Sequence, residues 1–195
     1  MKSSAFFEFE KVVEGIYSVY FDAIGGFQHA KGNFEKMQAQ SAREFNKSIK
    51  QLDSQVVIYG KGDPNKAGSV ELFRLTQGEY KQKNSQFGMN YRFMGNMCLI
   101  AIYQYWDDYF RGEIASELGI KKDDLRSSII GDMRLIRHSI IHHKGIANKD
   151  VEKCEILTWF RKDDPIFIDK AKLEEIIYHV KLEIRALKGR IEKLQ

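Results

Sequence analysis

The chain has 195 residues, 43% of them hydrophobic and 30% charged, with two cysteines and two prolines. That length supports one well-buried core, so residues 1–195 are expected to form a single domain. The 31 Lys and Arg against 27 Asp and Glu leave a formal charge of +4, which tolerates an acidic partner but is too mild for a non-specific DNA-binding protein, so any nucleic-acid contact should be local.

Cys98 and Cys154 form no C-x-x-C pair, and a reduced, cytoplasmic setting is expected. Glu8 and Glu10 interrupt the first phenylalanines, no small-residue cleavage site follows them, and the longest apolar run is Met97 to Tyr103. No signal peptide and no membrane span are expected.

Phe9, Val13, Ile16, Tyr20 and Ile24 recur at three- and four-residue steps, which predicts a first helix that Gly25-Gly26 can break or bend. A second helical stretch is expected from Phe27 to about Leu52. Then Val56-Val57-Ile58-Tyr59 and Val70 to Leu75 flank the turn-rich run Gly60 to Gly68, and the pair predicts a β-hairpin insertion over about 54–76. The Gly60–Gly68 run lacks the terminal Gly-Lys-Ser/Thr of a phosphate-binding P-loop, so it reads as a turn.

Met94, Cys98, Ala101, Tyr105 and Tyr109 predict a long helix from roughly Met89 to Leu118, ended by Gly119 in the left-handed conformation. The next helix should start at Asp123 or Asp124 as N-cap and stop at Gly145. Leu173, Ile177, Val180, Ile184, Leu187, Ile191 and Leu194 alternate four- and three-residue steps. They form a heptad seam that packs either on the protein's own bundle or on a second subunit. The fold class is thus mainly α, a helical bundle with its core at about 90–195.

The helix between these two carries Gly131-Asp132-Met133-Arg134-Leu135-Ile136-Arg137-His138-Ser139-Ile140-Ile141-His142-His143-Lys144-Gly145. So many cations on a packed helix need water, carboxylates or a phosphate, which suggests a polyanion site. At about 100° per residue, Ile129, Met133, Ile136 and Ile140 face the core. Arg134, His138, Ile141 and His142 lie opposite, with Arg137 at their flank. Ile130, Leu135 and Ile141 give this second face an apolar share that suits a cleft or a subunit contact. His143 should be a packed or capping residue, and Ser139 has no base beside it to make it a nucleophile.

Arg137 and His142, with four residues between them, match the R-x(4-6)-H motif, and the segment from Gly131 to Gly145 with Tyr105 to Arg111 before it resembles the HEPN (higher eukaryotes and prokaryotes nucleotide-binding) superfamily over roughly residues 90–180. His138 stands where that family often has Asn or Asp. The resemblance implies a HEPN-like bundle, a homodimer with facing motif helices, and a cofactor-free, metal-independent endoribonuclease of a toxin or phage-defence system, with RNA as substrate and a possible antitoxin or defence-system partner. Cleavage by the 2′-hydroxyl would leave a cyclic phosphate. It would use His142 for proton transfer, Arg137 for phosphate stabilisation and His138 as second proton carrier or orienting group. Arg134 and Lys144 would hold flanking phosphates, unless Arg134 pairs with Asp107, Asp108 or Asp132.

Two other classes stay open: a non-catalytic nucleotide-binding or dimeric interaction module, and a structural bundle that meets an acidic partner. His138 and His142 could also clasp zinc, but no third ligand is visible. Tyr103, Tyr105, Trp106 and Tyr109 read as core and edge packing.

Overall fold

Apolar side chains at helical spacing carry α1 without interruption from Ala5 to Glu44. Gly25-Gly26 neither breaks it nor separates it from a second helix, contrary to expectation. Each glycine costs a helix only about 1 kcal/mol, and tertiary packing overrides that sum. The expected helix from Phe27 to Leu52 is therefore the second half of α1, followed by the short α2 (Ile49–Asp53), which Ser48 and Gln51 open with a reciprocal capping box.

The structure, a computed structural model, describes residues 4–63 and 66–192. They divide into two compact units, one of Met1–Asp22 with Arg92–Gln195 and one of Ala23–Tyr91. The fold is mainly α with one small β-hairpin. No helix among the described residues is long and apolar enough to cross a membrane.

In the unit of Ala23–Tyr91, β1 (Val56–Lys61) pairs antiparallel with β2 (Val70–Thr76), Val56 opposite Thr76, with an irregularity between Tyr59 and Gly60. The hairpin lies within the span expected for it. Of its predicted turn, Pro64 and Asn65 lie outside the described residues. Val56, Ile58, Val70 and Leu72 are each more than half exposed. Helix α3 (Gln77–Lys83) follows, opened by a second capping box between Thr76 and Glu79. Buried Gln38 ties α1 to α2 and α3: its amide donates to Asp53 at 2.8 Å and to Gln77 at 3.0 Å, and its oxygen accepts from Lys81.

The other unit holds the larger apolar core. Helix α4 (Met89–Tyr105) runs into a π-helical turn (Trp106–Phe110) and continues as α5 (Arg111–Glu117). The single long helix expected there thus exists with one widened turn. Gly119 follows with φ +69°, the predicted left-handed stop. Helices α6 (Ser128–His142) and α7 (Lys170–Glu192) complete this unit. Phe9 of α1 meets Trp106 and Phe110 at ring-centroid distances of 5.4 and 5.1 Å. On α7, Leu173, Ile176, Val180, Ile184 and Leu187 are at most 1% exposed, so the seam packs on the protein's own bundle. Ile176 is buried where Ile177 was expected. The Ile191 side chain and Leu194 lie outside the described residues.

Polar side chains fix this packing. Glu117 accepts the Ala5 N–H at 2.6 Å and the Ser4 hydroxyl at 2.8 Å, a carboxylate at a helix N-terminus, where the dipole favours it. Lys181 and Lys188 of α7 reach Glu14 and Glu10 of α1. Lys11 first, then Lys181, hold the Glu14 carboxyl at about 2, far below the usual range.

Helix α4 meets the chain before α7 at backbone distance. Asn96 accepts the Ile168 N–H at 3.1 Å and donates to the Ile166 carbonyl at 3.3 Å. A Cβ on Gly95 would lie 1.7 Å from the Ile168 carbonyl oxygen. Gly95→Ala should therefore cost about 3 kcal/mol through forced separation of the two segments, read as a fall in the urea midpoint without a change in slope.

Both thiols are free and buried. Burial pushes Cys98 up to about 11; burial, with the Asp132 charge, pushes Cys154 up to about 12. Since the thiolate is the reacting form, neither should react with a chromogenic disulfide at pH 8 in the native protein, and both should react once guanidinium unfolds it.

Candidate phosphate-handling face of helix α6

Ser127 opens α6. Its φ of −148° is extended, and its hydroxyl accepts the Ile130 N–H at 3.5 Å. The predicted cap, Asp123 or Asp124, instead lies in a separate 3₁₀ turn (Lys122–Asp124), because buried Leu125 must enter the core before the next helix can begin. At the other end the His143 N–H donates to Ser139 and the Gly145 N–H to Ser139 and Ile140. Gly145, at φ +75°, makes the stop the sequence implied, and Lys144 just before it also has a positive φ, +55°.

The loop after α6 is pinned. The Gly145 carbonyl accepts from the Arg92 guanidinium at 2.8 Å and from the Ile166 N–H at 2.8 Å. A Cβ at Gly145 would meet Arg92 at 3.0 Å. The Ser139 side chain is fully buried and accepts the Asn148 N–H at 3.1 Å. It is a loop anchor and not a nucleophile.

Asp132, 3% exposed, anchors the helix from its other side. Its carboxylate accepts three consecutive backbone N–H groups, from Glu155 at 3.0 Å, Ile156 at 2.7 Å and Leu157 at 2.8 Å. It is thereby committed to the backbone and does not pair with Arg134. Among the described residues Arg134 pairs with no carboxylate at all, because Asp107 pairs with Arg111 and Asp108 accepts from Gln104.

The two faces of α6 fall nearly as the 100° spacing requires. Ile129, Met133 and Ile136 are at most 1% exposed, and Ile140 is half-buried. Arg134, His138, Ile141 and His142 are exposed. Ile130, expected on the mixed second face, is buried. His143 occupies the C-cap, as one of its two expected roles, but it is exposed and not packed; its ring approaches Asn148 at 3.4 Å.

The imidazoles of His138 and His142 meet at a tilt of 40° with centroids 4.7 Å apart, and the His143 ring lies 5.4 Å from His138. Arg137 is half-buried. Its guanidinium lies 5.2 Å above the Tyr103 ring and donates to Gln104 at 3.1 Å, while its Nε is buried without a partner among the described residues. Neutral groups thus hold the guanidinium, and its charge is not cancelled. Lys144 is exposed at the basic end of the helix. The Asp150 carboxylate reaches this field: held below the usual range first by its bond to Lys153, it is lowered further by the charges of His138 and Arg134.

The structure brings Arg134, Arg137, His138 and His142 onto one side of α6, with Lys144 just beyond its end. No group of three His, Cys, Asp or Glu side chains suited to a metal ion is gathered among the described residues. Trp106 and Tyr103 are core residues, 2% and 8% exposed, whereas Tyr105 and Tyr109 are about half exposed at its edge. Sequence reasoning missed Arg92, Gln104 and the role of Tyr103, which act on α6 from another helix. It saw Asp132 only as a possible ion-pair partner. No family model matches the chain, and neither a curated protein nor a solved structure matches it.

Proposed function

We propose that the protein is a metal-independent endoribonuclease. The observation that carries this reading is the pair of exposed imidazoles, His138 and His142, with ring centroids 4.7 Å apart on a helix face that also bears Arg134 and Arg137. Imidazole exchanges a proton near neutral pH, so two of them one turn apart supply a base and an acid. The base takes the proton of the RNA 2′-hydroxyl, and that oxygen attacks the adjacent phosphorus. The bond from phosphorus to the 5′-oxygen breaks, and the acid protonates the leaving oxygen. The products are a 2′,3′-cyclic phosphate and a 5′-hydroxyl. Arg137 offers forked donors to the charge that builds on the phosphoryl oxygens, and Arg134 and Lys144 attract neighbouring phosphates.

The resemblance of this segment to HEPN ribonucleases supports the same assignment and a homodimer in which two α6 helices face each other. Ile141, 44% exposed beside His142, gives that face an apolar share suited to a subunit contact. A toxin or phage-defence role follows from the resemblance alone. A second reading, a non-catalytic nucleotide-binding module, draws on one observation: Arg137 is seated on Tyr103 with its Nε buried, so it must reorient to offer all its donors.

Incubation of the purified protein with RNA in EDTA separates the two. Fragments ending in cyclic phosphate are expected for the nuclease. Retention of intact RNA favours the module, and cutting only after a metal is added overturns the mechanism. Light scattering after size-exclusion chromatography should give a dimer; a monomer leaves each active face without its opposite half.

A further inference from the structure

Openings lie on both sides of the π-helical turn Trp106–Phe110. Tyr103, Trp106, Asp107 and Arg111 line a cleft on the side of α6, whereas Tyr105, Asp108, Tyr109 and Phe110 line a larger groove of about 660 Å³ on the side of α1. Single π-helical turns are frequent at functional sites. Val12 closes this groove from α1, and Met97 and Ala101 of α4 form its floor. Past them it continues between Gly15 and Val19 of α1 and Met94 of α4 as a second hollow of about 430 Å³. All of these residues belong to one compact unit.

Val19, Met97, Tyr105 and Tyr109 are each at least 40% exposed along it, and contiguous apolar surface of this kind marks a binding site. Gly15 keeps it open: a Cβ there would meet nothing within 4 Å, so packing does not demand a residue that weakens the helix. The polar groups stand at the other end. Gln104 gives its side-chain oxygen to Arg137 at 3.1 Å, which turns its amide to donate to the Asp108 carboxylate. That partner is neutral. Asp107, next in the chain, is neutralised by Arg111, but among the described residues no cation pairs with Asp108, and no lysine or arginine lines either hollow. In a chain of formal charge +4, the groove thus carries an uncancelled negative charge. Tyr105 and Tyr109 stand beside it with their rings half-exposed, and aromatic faces attract ammonium groups.

We propose that this groove binds an amphiphilic organic cation, with its ammonium head at Asp108 beside Tyr105 and Tyr109 and its alkyl chain laid along Ala101 and Met97 towards Gly15. The volume falls within the range of small-molecule pockets, and an apolar wall with a few placed polar groups is their usual lining. The eleven steps from Met97 to Asp108 span roughly 16 Å at about 1.5 Å each, the reach of a medium-length alkyl chain with its head. The proposal goes beyond the nuclease reading and stands apart from it, because neither His138 nor His142 lines the groove.

The test is a ¹⁵N–¹H titration of the full chain with decyltrimethylammonium, with decanoate and with tetramethylammonium. Decyltrimethylammonium should shift the Gly15, Met97, Ala101 and Asp108 amides. Decanoate, with the same tail and the opposite charge, should bind about tenfold more weakly, and tetramethylammonium, the head alone, should give no shifts at the same concentration. Asp108→Asn should weaken the cation about fivefold and leave decanoate no weaker. Tyr105→Leu with Tyr109→Leu keeps the wall apolar but removes the rings, and should also weaken the cation alone by about fivefold. Gly15→Leu fills the far end and should weaken both chains about tenfold, with no fall in unfolding temperature because the new side chain enters open space.

Absence of groove shifts with decyltrimethylammonium, equal affinity for decanoate, or binding unchanged in all three variants overturns the proposal. Shifts of the same amides on dilution without any ligand assign the groove to a second copy of the chain and overturn it as well. Each of these results leaves the EDTA cleavage assay to decide the nuclease reading separately.

Discussion

Replacing His142 by alanine is expected to lower the rate of RNA cleavage by about 10²- to 10⁴-fold, the usual contribution of a positioned proton-transfer group. The expectation rests on placement. His142 is exposed in the last turn of α6, its ring lies beside that of His138, and among the described residues it makes no side-chain hydrogen bond that holds the fold. The variant should therefore unfold at the temperature of the parent, and loss of cyclic-phosphate product in a fully folded sample is the result that counts. His138→Asn gives a graded comparison, because the amide keeps a donor and an acceptor but moves no proton. If His138 only orients the substrate, that variant should retain most activity; if it is the second proton carrier, it should fall as far as His142→Ala. A His142→Ala protein that cuts RNA at the parental rate would sink the assignment.

Asp132→Ala should destabilise the fold by about 4 kcal/mol. Its side chain is buried and takes three successive N–H groups of residues 155–157. Removing it leaves three buried donors, and each unsatisfied buried group costs about 1–3 kcal/mol, reduced where water enters the space. Asp132→Asn should lose less, about 2 kcal/mol, since one oxygen remains while the amide nitrogen faces a donor. Urea unfolding followed by far-ultraviolet circular dichroism measures both. A loss under 1 kcal/mol for Asp132→Ala would show that the segment after α6 finds other acceptors. The contrast with His142 is informative: one residue carries the fold of α6 and the other its proposed chemistry, ten positions apart on one helix.

How far the sequence reaches differs between these two residues. The orientation of His142, His138 and Arg134 followed from 100° steps on a helix whose apolar residues name their own face. Asp132, on the same helix, could not be placed that way, since its three partners arrive from more than twenty residues later. The hairpin was legible because β-branched runs flank a turn-rich loop. The unbroken α1 was not, because Gly25-Gly26 argues locally for a break and the packing that overrides it is not local. Likewise Ser127 competes with Asp123 and Asp124 as equally good caps until buried Leu125 decides between them. For Arg137 the sequence supplied the charge, but its seat on Tyr103 and Gln104 comes from another helix.

The widened turn at Trp106–Phe110 has a consequence for angular phase. On a regular α-helix, Tyr103 and Arg111 would sit roughly 80° apart around the axis, eight steps of about 100° each. One extra residue in a single turn, recorded in the Arg111 N–H bonding back to the Trp106 carbonyl, withdraws roughly one such step. The two side chains then align within roughly 20° and border one opening. Tightening this turn to a regular helix at unchanged length would part the phenol and the guanidinium by roughly 80°, whereas deleting one residue within it would restore ideal hydrogen bonding with seven regular steps and keep them aligned, so the irregularity works as a vernier between the two halves of the rod.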